Sequence, residues 1–143
     1  MDYINIIIKL LVAVALAGLI GLERETRKTK SQGTAGLRTH MLVALGSALL
    51  TVISIYGFPD VYGSVADPGR LVSYIILGIG FIGAGTIMAL HGRVVGLTTA
   101  ASIWLVSAIG IAVMLDLYTI AIVTTIIALI ILELWRFEKH VLD

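Results

Sequence analysis

The sequence predicts an all-α membrane protein, a bundle of about five transmembrane helices forming one domain over residues 1–143. Three observations carry that expectation. Hydrophobic residues make up 59% of the chain, above the roughly half found in soluble domains. Mean hydropathy is correspondingly high, at +1.05. The apolar residues also gather into stretches near the ~20 residues that cross a bilayer, with most charges confined between them. In lipid the backbone must satisfy its hydrogen bonds within each segment, so these stretches are read as helices.

The first span covers about residues 4–22, interrupted by Asn5 and Lys9. Acidic Asp2 stands where a signal peptide would carry basic charge, and Glu23-Arg24-Glu25 stands where a small-residue cleavage site would fall. The run is therefore read as a retained span. Ala13, Ala17 and Gly21 recur every fourth residue and mark a face suited to close helix contact. A charged stretch, ERETRKTKSQGTAGLR, leads to the second span at about 41–58. In the loop that follows, Asp67 is placed to cap the third helix, with Pro68 at its first position.

The third span runs over about 71–90 and contains GIGFIGAG. At about 100° per residue, Gly78 and Gly85 share one face, while Gly80 and Gly83 lie near each other on the opposite one. A helix that can be approached closely on two sides is expected at the centre of the bundle. The same letters spell GxGxxG, but no strand precedes them and no polar loop surrounds them, so a dinucleotide site is set aside. His91-Gly92-Arg93 makes a short turn into the fourth span, about 94–115. That span carries Thr98, Ser102 and Gly110 along one stripe. Asp116 marks a tight turn before the fifth span at about 118–134, and the tail RFEKHVLD is short and amphipathic.

Lys and Arg set the expected orientation. With five spans, Arg24, Arg27, Lys28, Lys30, Arg38, Arg93, Arg136 and Lys139 share one side. The other side holds Arg70, with Lys9 near enough to the end of its span to snorkel outward. The positive-inside rule then places the N-terminus outside and the C-terminus in the cytoplasm.

Composition also excludes function classes. A formal net charge of +1 without a basic stripe gives no footing for nucleic acid. The chain has no cysteine, hence no disulfide scaffold, thiolate metal site or cysteine nucleophile. No nucleophile stands beside a base, so an enzyme is not expected. His40, His91 and His140 fit no metal signature and are read as interfacial. The middles of the spans carry no ionisable pair of the kind that coupled carriers use.

The remaining polar motifs admit two readings each. Glu23 or Glu25 can pair with Arg38, which opens the next helix on the same side; the alternative is a partner or ion site at that mouth. Asp67 has a sufficient role as an N-cap. It is also a candidate metal ligand, since Asp2, Asp60, Asp67 and Asp116 all face outward and hard oxygen donors suit Mg²⁺. Thr98, Thr99 and Ser102 either bond back to their own helix or line an ion path.

The strings GLERE, GLRTHMLVALGSALLTVIS, DPGR, GIGFIGAGTIM and GLTTAASIWLVSAIGIAV, in that order and spacing, resemble the MgtC/SapB family of bacterial membrane proteins. The resemblance covers nearly the whole chain. It implies a multi-pass protein of the bacterial inner membrane, linked to growth at low magnesium and, in pathogens, to survival inside host cells. It also implies regulation of other membrane complexes, notably the F-type ATP synthase. The family's polar positions fall on Glu23, Arg24, Glu25, Arg38, Asp67, Arg70, Thr98 and Thr99, and its glycine motif on Gly78, Gly80, Gly83 and Gly85. Many members continue into a soluble cytoplasmic domain, whereas this sequence stops at Asp143, so the resemblance speaks for the membrane core.

The leading expectation is a non-enzymatic membrane regulator that docks on other membrane proteins, or on a second copy of itself, through the glycine faces of the third helix. The alternative is a Mg²⁺ transporter or channel entered past the outward Asp residues. No cofactor is expected beyond Mg²⁺, and the partners are the lipid bilayer and membrane proteins.

Overall fold

The computed structural model describes residues 2–26, 35–57, 67–90 and 92–134. Five helices follow in order: α1 Tyr3–Thr26, α2 Leu37–Tyr56, α3 Pro68–Ala84, α4 Leu97–Met114 and α5 Tyr118–Glu133. Their starts follow local chemistry. The Asp2 carboxylate accepts the N–H groups of Ile4 and Asn5, capping α1. Asp67 accepts Gly69 N–H at 2.9 Å, with proline in the first turn of α3, as the sequence predicts. The α4–α5 link is a tight turn in which Asp116 adopts φ +63, and Leu117 N–H reaches back to Ala112 O at 2.9 Å.

The third and fourth spans are shorter than predicted. The chain leaves the helix after Ala84, where Thr86 Oγ1 donates to Gly83 O at 2.7 Å. Met88–Leu90 (β1) and Arg93–Val95 (β2) then form an antiparallel hairpin, with Met88 opposite Val95. The residues expected to close one helix and open the next thus pair with each other. Gly92 and Gly96, at φ +77 and +93, make the two bends that this requires. A β-carbon on Gly96 would overlap Thr86 O, so the hairpin closes tightly onto the start of α4.

Contacts between the helices fix an up-and-down order. The end of α1 meets the starts of α2 and α4: Glu25 reaches Leu37, and Arg24 reaches Thr99. The start of α1 meets the end of α4 through Lys9 and Met114. Helices α2 and α4 run parallel, since His40 meets Ser102 and Ser47 meets Ser107. Gly83 lies against Ala100, so α3 runs opposite to α4, and α5 reverses again after Asp116. Tyr3 and Glu133 consequently lie at opposite ends of the bundle.

The core lies where α1, α2 and α4 meet, at Ala13, Ala17, Ile20, Ala44, Ala48, Ile103, Val106 and Ile109. This corrects the expectation that the third helix is central: α3 packs against α2 and α4 at the edge, and α4 is the buried one. Close approach decides the matter. A β-carbon on Gly110 of α4 would sit 2.6 Å from Ala44 O, and one on Gly21 of α1 2.9 Å from Leu37 Cα. Gly78 and Gly80 of α3 have no such neighbour within 4 Å.

Helices α1, α2 and α4 are long and apolar enough to cross a membrane, while α3 and α5, with 17 and 16 residues, are apolar but shorter. The outside of the bundle is apolar too, with Leu11, Leu77, Phe81 and Ile130 all more than half exposed. Water would not tolerate so continuous an apolar surface, and lipid does. The protein is a membrane protein.

Candidate functional site

Most of the predicted polar residues gather at one end of the bundle, where α1 ends and α2 and α4 begin. Arg24 Nη2 donates to Thr99 Oγ1 at 3.1 Å, joining the last turn of α1 to the first turn of α4. Thr99 is fully buried, whereas Thr98 next to it is exposed. Both carboxylate oxygens of Glu23 and Nε of Arg24 are shielded in the same joint. Glu25 turns the other way, and its Oε2 accepts Leu37 N–H at 3.0 Å. That N–H has no partner within the helix, and the carboxylate complements the positive end of the α2 dipole. Arg38 is exposed, and among the described residues it forms no ion pair with Glu23 or Glu25. The acidic residue meets the α2 backbone, not the arginine one position further along.

Behind this joint sits His40, fully buried, with Nδ1 2.7 Å from Gly36 O and Nε2 2.9 Å from Ser102 Oγ. The sequence reading placed it at the interface. The structure corrects that, because Gly21 leaves room for the ring: a β-carbon there would lie 3.0 Å from His40 Cβ. His91 and His140 lie outside the described residues. Ser102 Oγ also reaches Thr99 O at 2.9 Å. Deeper along the same seam, Ser47 Oγ and Ser107 Oγ share a hydrogen bond of 2.8 Å, and Thr51 bonds back to Ser47 O.

At the opposite end, Lys9 does not simply snorkel. Its Nζ lies 2.7 Å from Asp116 Oδ2 and 3.3 Å from Met114 O, and the residue is buried. The described carboxylates at this end are each engaged separately: Asp2 and Asp67 by helix N-termini, Asp116 by Lys9. Among the described residues no three His, Cys, Asp or Glu side chains gather as a metal site, and Asp60 lies outside them. Arg70 is exposed.

The glycine motif divides. Gly83 faces α4 at Ala100, and Gly85 ends α3, while Gly78 and Gly80 look outward. Gly78 borders an open apolar cleft of about 690 Å³ between α2 and α3, together with Gly46, Leu50, Tyr74 and Ile82.

Sequence reasoning missed His40, the Ser47–Ser107 bond and the Lys9–Asp116 pair. Lys9 carried a legible signal, as a lone cation in an apolar run with Asp116 assigned to the same side. The serine pair carried none, because the register of α2 on α4 is set by packing.

Comparison with known proteins follows the same segments. A model described as the MgtC family matches residues 10–140. "Putative magnesium transporter YhiD" of Escherichia coli (strain K12) is 42% identical over 133 residues, covering 91% of this chain and 60% of YhiD. "Protein SapB" of Bacillus subtilis (strain 168) is 39% identical over 141 residues, covering 94% of this chain and 59% of SapB. "Protein MgtC" of Salmonella typhimurium (strain LT2) is 43% identical over 123 residues, covering 86% of this chain and 49% of MgtC. The chain thus spans about half to three fifths of the length of these relatives. No solved structure matches it significantly.

Proposed function

The chain belongs to the MgtC family, and from that membership we propose that it is a non-enzymatic regulator in the bacterial inner membrane, acting in adaptation to low magnesium. In this reading it docks on other membrane complexes, of which the F-type ATP synthase is the one the family resemblance implies, or on a second copy of itself. The observation that carries the proposal is the outward position of Gly78 and Gly80. Gly78 and Gly80 lie on opposite faces of an apolar helix; each lets another helix approach closely, and here the bundle's own packing leaves both open. The up-and-down order supports a five-pass topology with the N-terminus outside and the cluster at Arg24 and Arg38 in the cytoplasm.

The test is to replace Gly78 and, separately, Gly80 with Leu and to measure co-purification of tagged protein with ATP synthase subunits and with itself. Because both positions are open, the variants are expected to keep the parent's thermal midpoint and to lose association. Undiminished association in both variants rejects the docking reading.

A second reading, Mg²⁺ transport, is favoured by the name of YhiD. In it Asp67 serves as the metal ligand at the entry, and Thr98, Thr99 and Ser102 line the path. Liposomes containing the purified chain and a Mg²⁺-sensitive dye separate the two readings. The regulator gives no flux above empty vesicles, and a transporter gives flux that Asp67→Asn lowers.

A further inference from the structure

His40 occupies the joint of α1, α2 and α4, and the hydrogen bonds around it cannot all be made by a neutral ring. Gly36 O only accepts, so Nδ1, 2.7 Å away, must carry a proton. In the neutral imidazole, Nε2 is then an acceptor, and Ser102 must donate to it across 2.9 Å. Ser102 has one hydroxyl proton, however, and its Oγ also lies 2.9 Å from Thr99 O, another pure acceptor. With the ring neutral, one of those two contacts is left without a hydrogen. With the ring doubly protonated, Nε2–H donates to Ser102 Oγ, Ser102 donates to Thr99 O, and every contact holds one proton. The chain then continues from Thr99 to Arg24, whose Nη2 donates to Thr99 Oγ1.

We infer that His40 is a buried proton-binding site whose occupancy sets the joint between α1, α2 and α4. Binding a proton completes the line from Gly36 through His40, Ser102 and Thr99. Losing it turns the Ser102 hydroxyl toward Nε2 and removes the side-chain bond to the Thr99 carbonyl in the first turn of α4, where Arg24 is anchored. Charged groups reach this end from several elements: Glu23, Arg24 and Glu25 on α1, Arg38 on α2, Arg93 on β2 and Glu133 at the end of α5, while α4 carries none over its length. The site is distinct from the α3 surface on which the proposed docking rests, so either proposal can fail alone.

The test uses the full chain in lipid nanodiscs, with ¹⁵N-histidine and with His91→Gln and His140→Gln, which leaves His40 as the sole reporter. Ring nitrogen resonances are followed from about pH 5 to about pH 8.5, the interval in which an imidazole ordinarily exchanges its proton. The expected result is an Nδ1 that stays protonated throughout and an Nε2 that passes from acceptor to N–H as pH falls. Ser102→Ala should move this transition to lower pH by half a unit or more, roughly a threefold weaker proton affinity. The charged state loses both the Nε2–H bond to Ser102 and the Ser102 bond to Thr99 O, while the neutral state loses only the Ser102 bond to Nε2. An unprotonated Nδ1 at any pH, a ring unchanged across the interval, or an unmoved transition in Ser102→Ala overturns the inference. The first two outcomes need no variant at the site itself, so a poorly folding Ser102→Ala leaves the proposal open to refutation.

Discussion

Lys9 and Asp116 stand 107 positions apart in sequence, yet Nζ and Oδ2 lie 2.7 Å from each other, closing the first half of α1 onto the α4–α5 turn. The pair is lopsided: the lysine side chain is 8% exposed and the aspartate side chain 66%. Removing the aspartate therefore strands a cation with little access to water, while removing the lysine leaves a carboxylate that water can solvate. Asp116→Ala is expected to destabilise the protein by about 1–3 kcal/mol, below the cost of breaking a fully buried pair, and Lys9→Met by less. Thermal unfolding in detergent measures both, and a larger loss for Lys9→Met contradicts the account.

Gly110 and Gly21 set how closely the core helices approach. Gly110→Ala must displace the Ala44 carbonyl from a 2.6 Å overlap, and Gly21→Ala must move Leu37. Each should cost about 1–3 kcal/mol by overpacking. Gly46→Ala and Gly80→Ala meet no atom within 4 Å and should be neutral or slightly stabilising, because alanine favours the helix. The contrast between the two pairs, read as shifts in thermal midpoint, is the check.

Thr99 is the acceptor that holds Arg24. Thr99→Val keeps the shape and removes the oxygen, which leaves a guanidinium N–H without its partner in a shielded joint. A loss of about 1.5–3 kcal/mol is expected, with Thr99→Ser retaining most of the stability. Equal unfolding midpoints for the valine and serine variants contradict the bond.

Ser47 and Ser107 make a buried pair that a double-mutant cycle can isolate. Each serine-to-alanine change alone should cost about 1 kcal/mol, and the double variant less than the sum of the two. The coupling energy is expected at about 0.6 kcal/mol, the order found for hydrogen bonds between membrane helices, which puts the double variant at about 1.4 kcal/mol, and strict additivity contradicts it.

The proposed five-pass topology puts the two ends of the chain on different sides of a bilayer. Reporter tags fused at Met1 and at Asp143 should respectively be accessible and inaccessible from outside intact cells. Two tags in one compartment reject the five-pass topology.

Much of the fold was legible because lipid imposes a simple rule: long apolar runs become helices, and caps such as Asp67 are local events between near neighbours. The span boundaries near residues 84–97 were less legible. Met88, Leu90, Val94 and Val95 look apolar whether they form a helix or a hairpin. The candidate site was legible by residue type and wrong in its pairings. Glu25 and Arg24 were singled out, but their partners, Leu37 N–H and Thr99, depend on how α2 and α4 sit against α1.

Composition and hydropathy alone determined that the solvent is lipid, that the elements are helices, and that glycine and alanine faces mediate their contact. Tertiary structure alone decided which faces meet. A helix with glycines on two sides can lie in the middle or at the rim, and only the three-dimensional packing of Gly21 on Leu37 and Gly110 on Ala44 sends α4 inside and α3 to the edge. The same docking buries His40 against Ser102 and brings Lys9 to Asp116, because contacts across 62 and 107 positions depend on the register between helices, which local sequence does not encode.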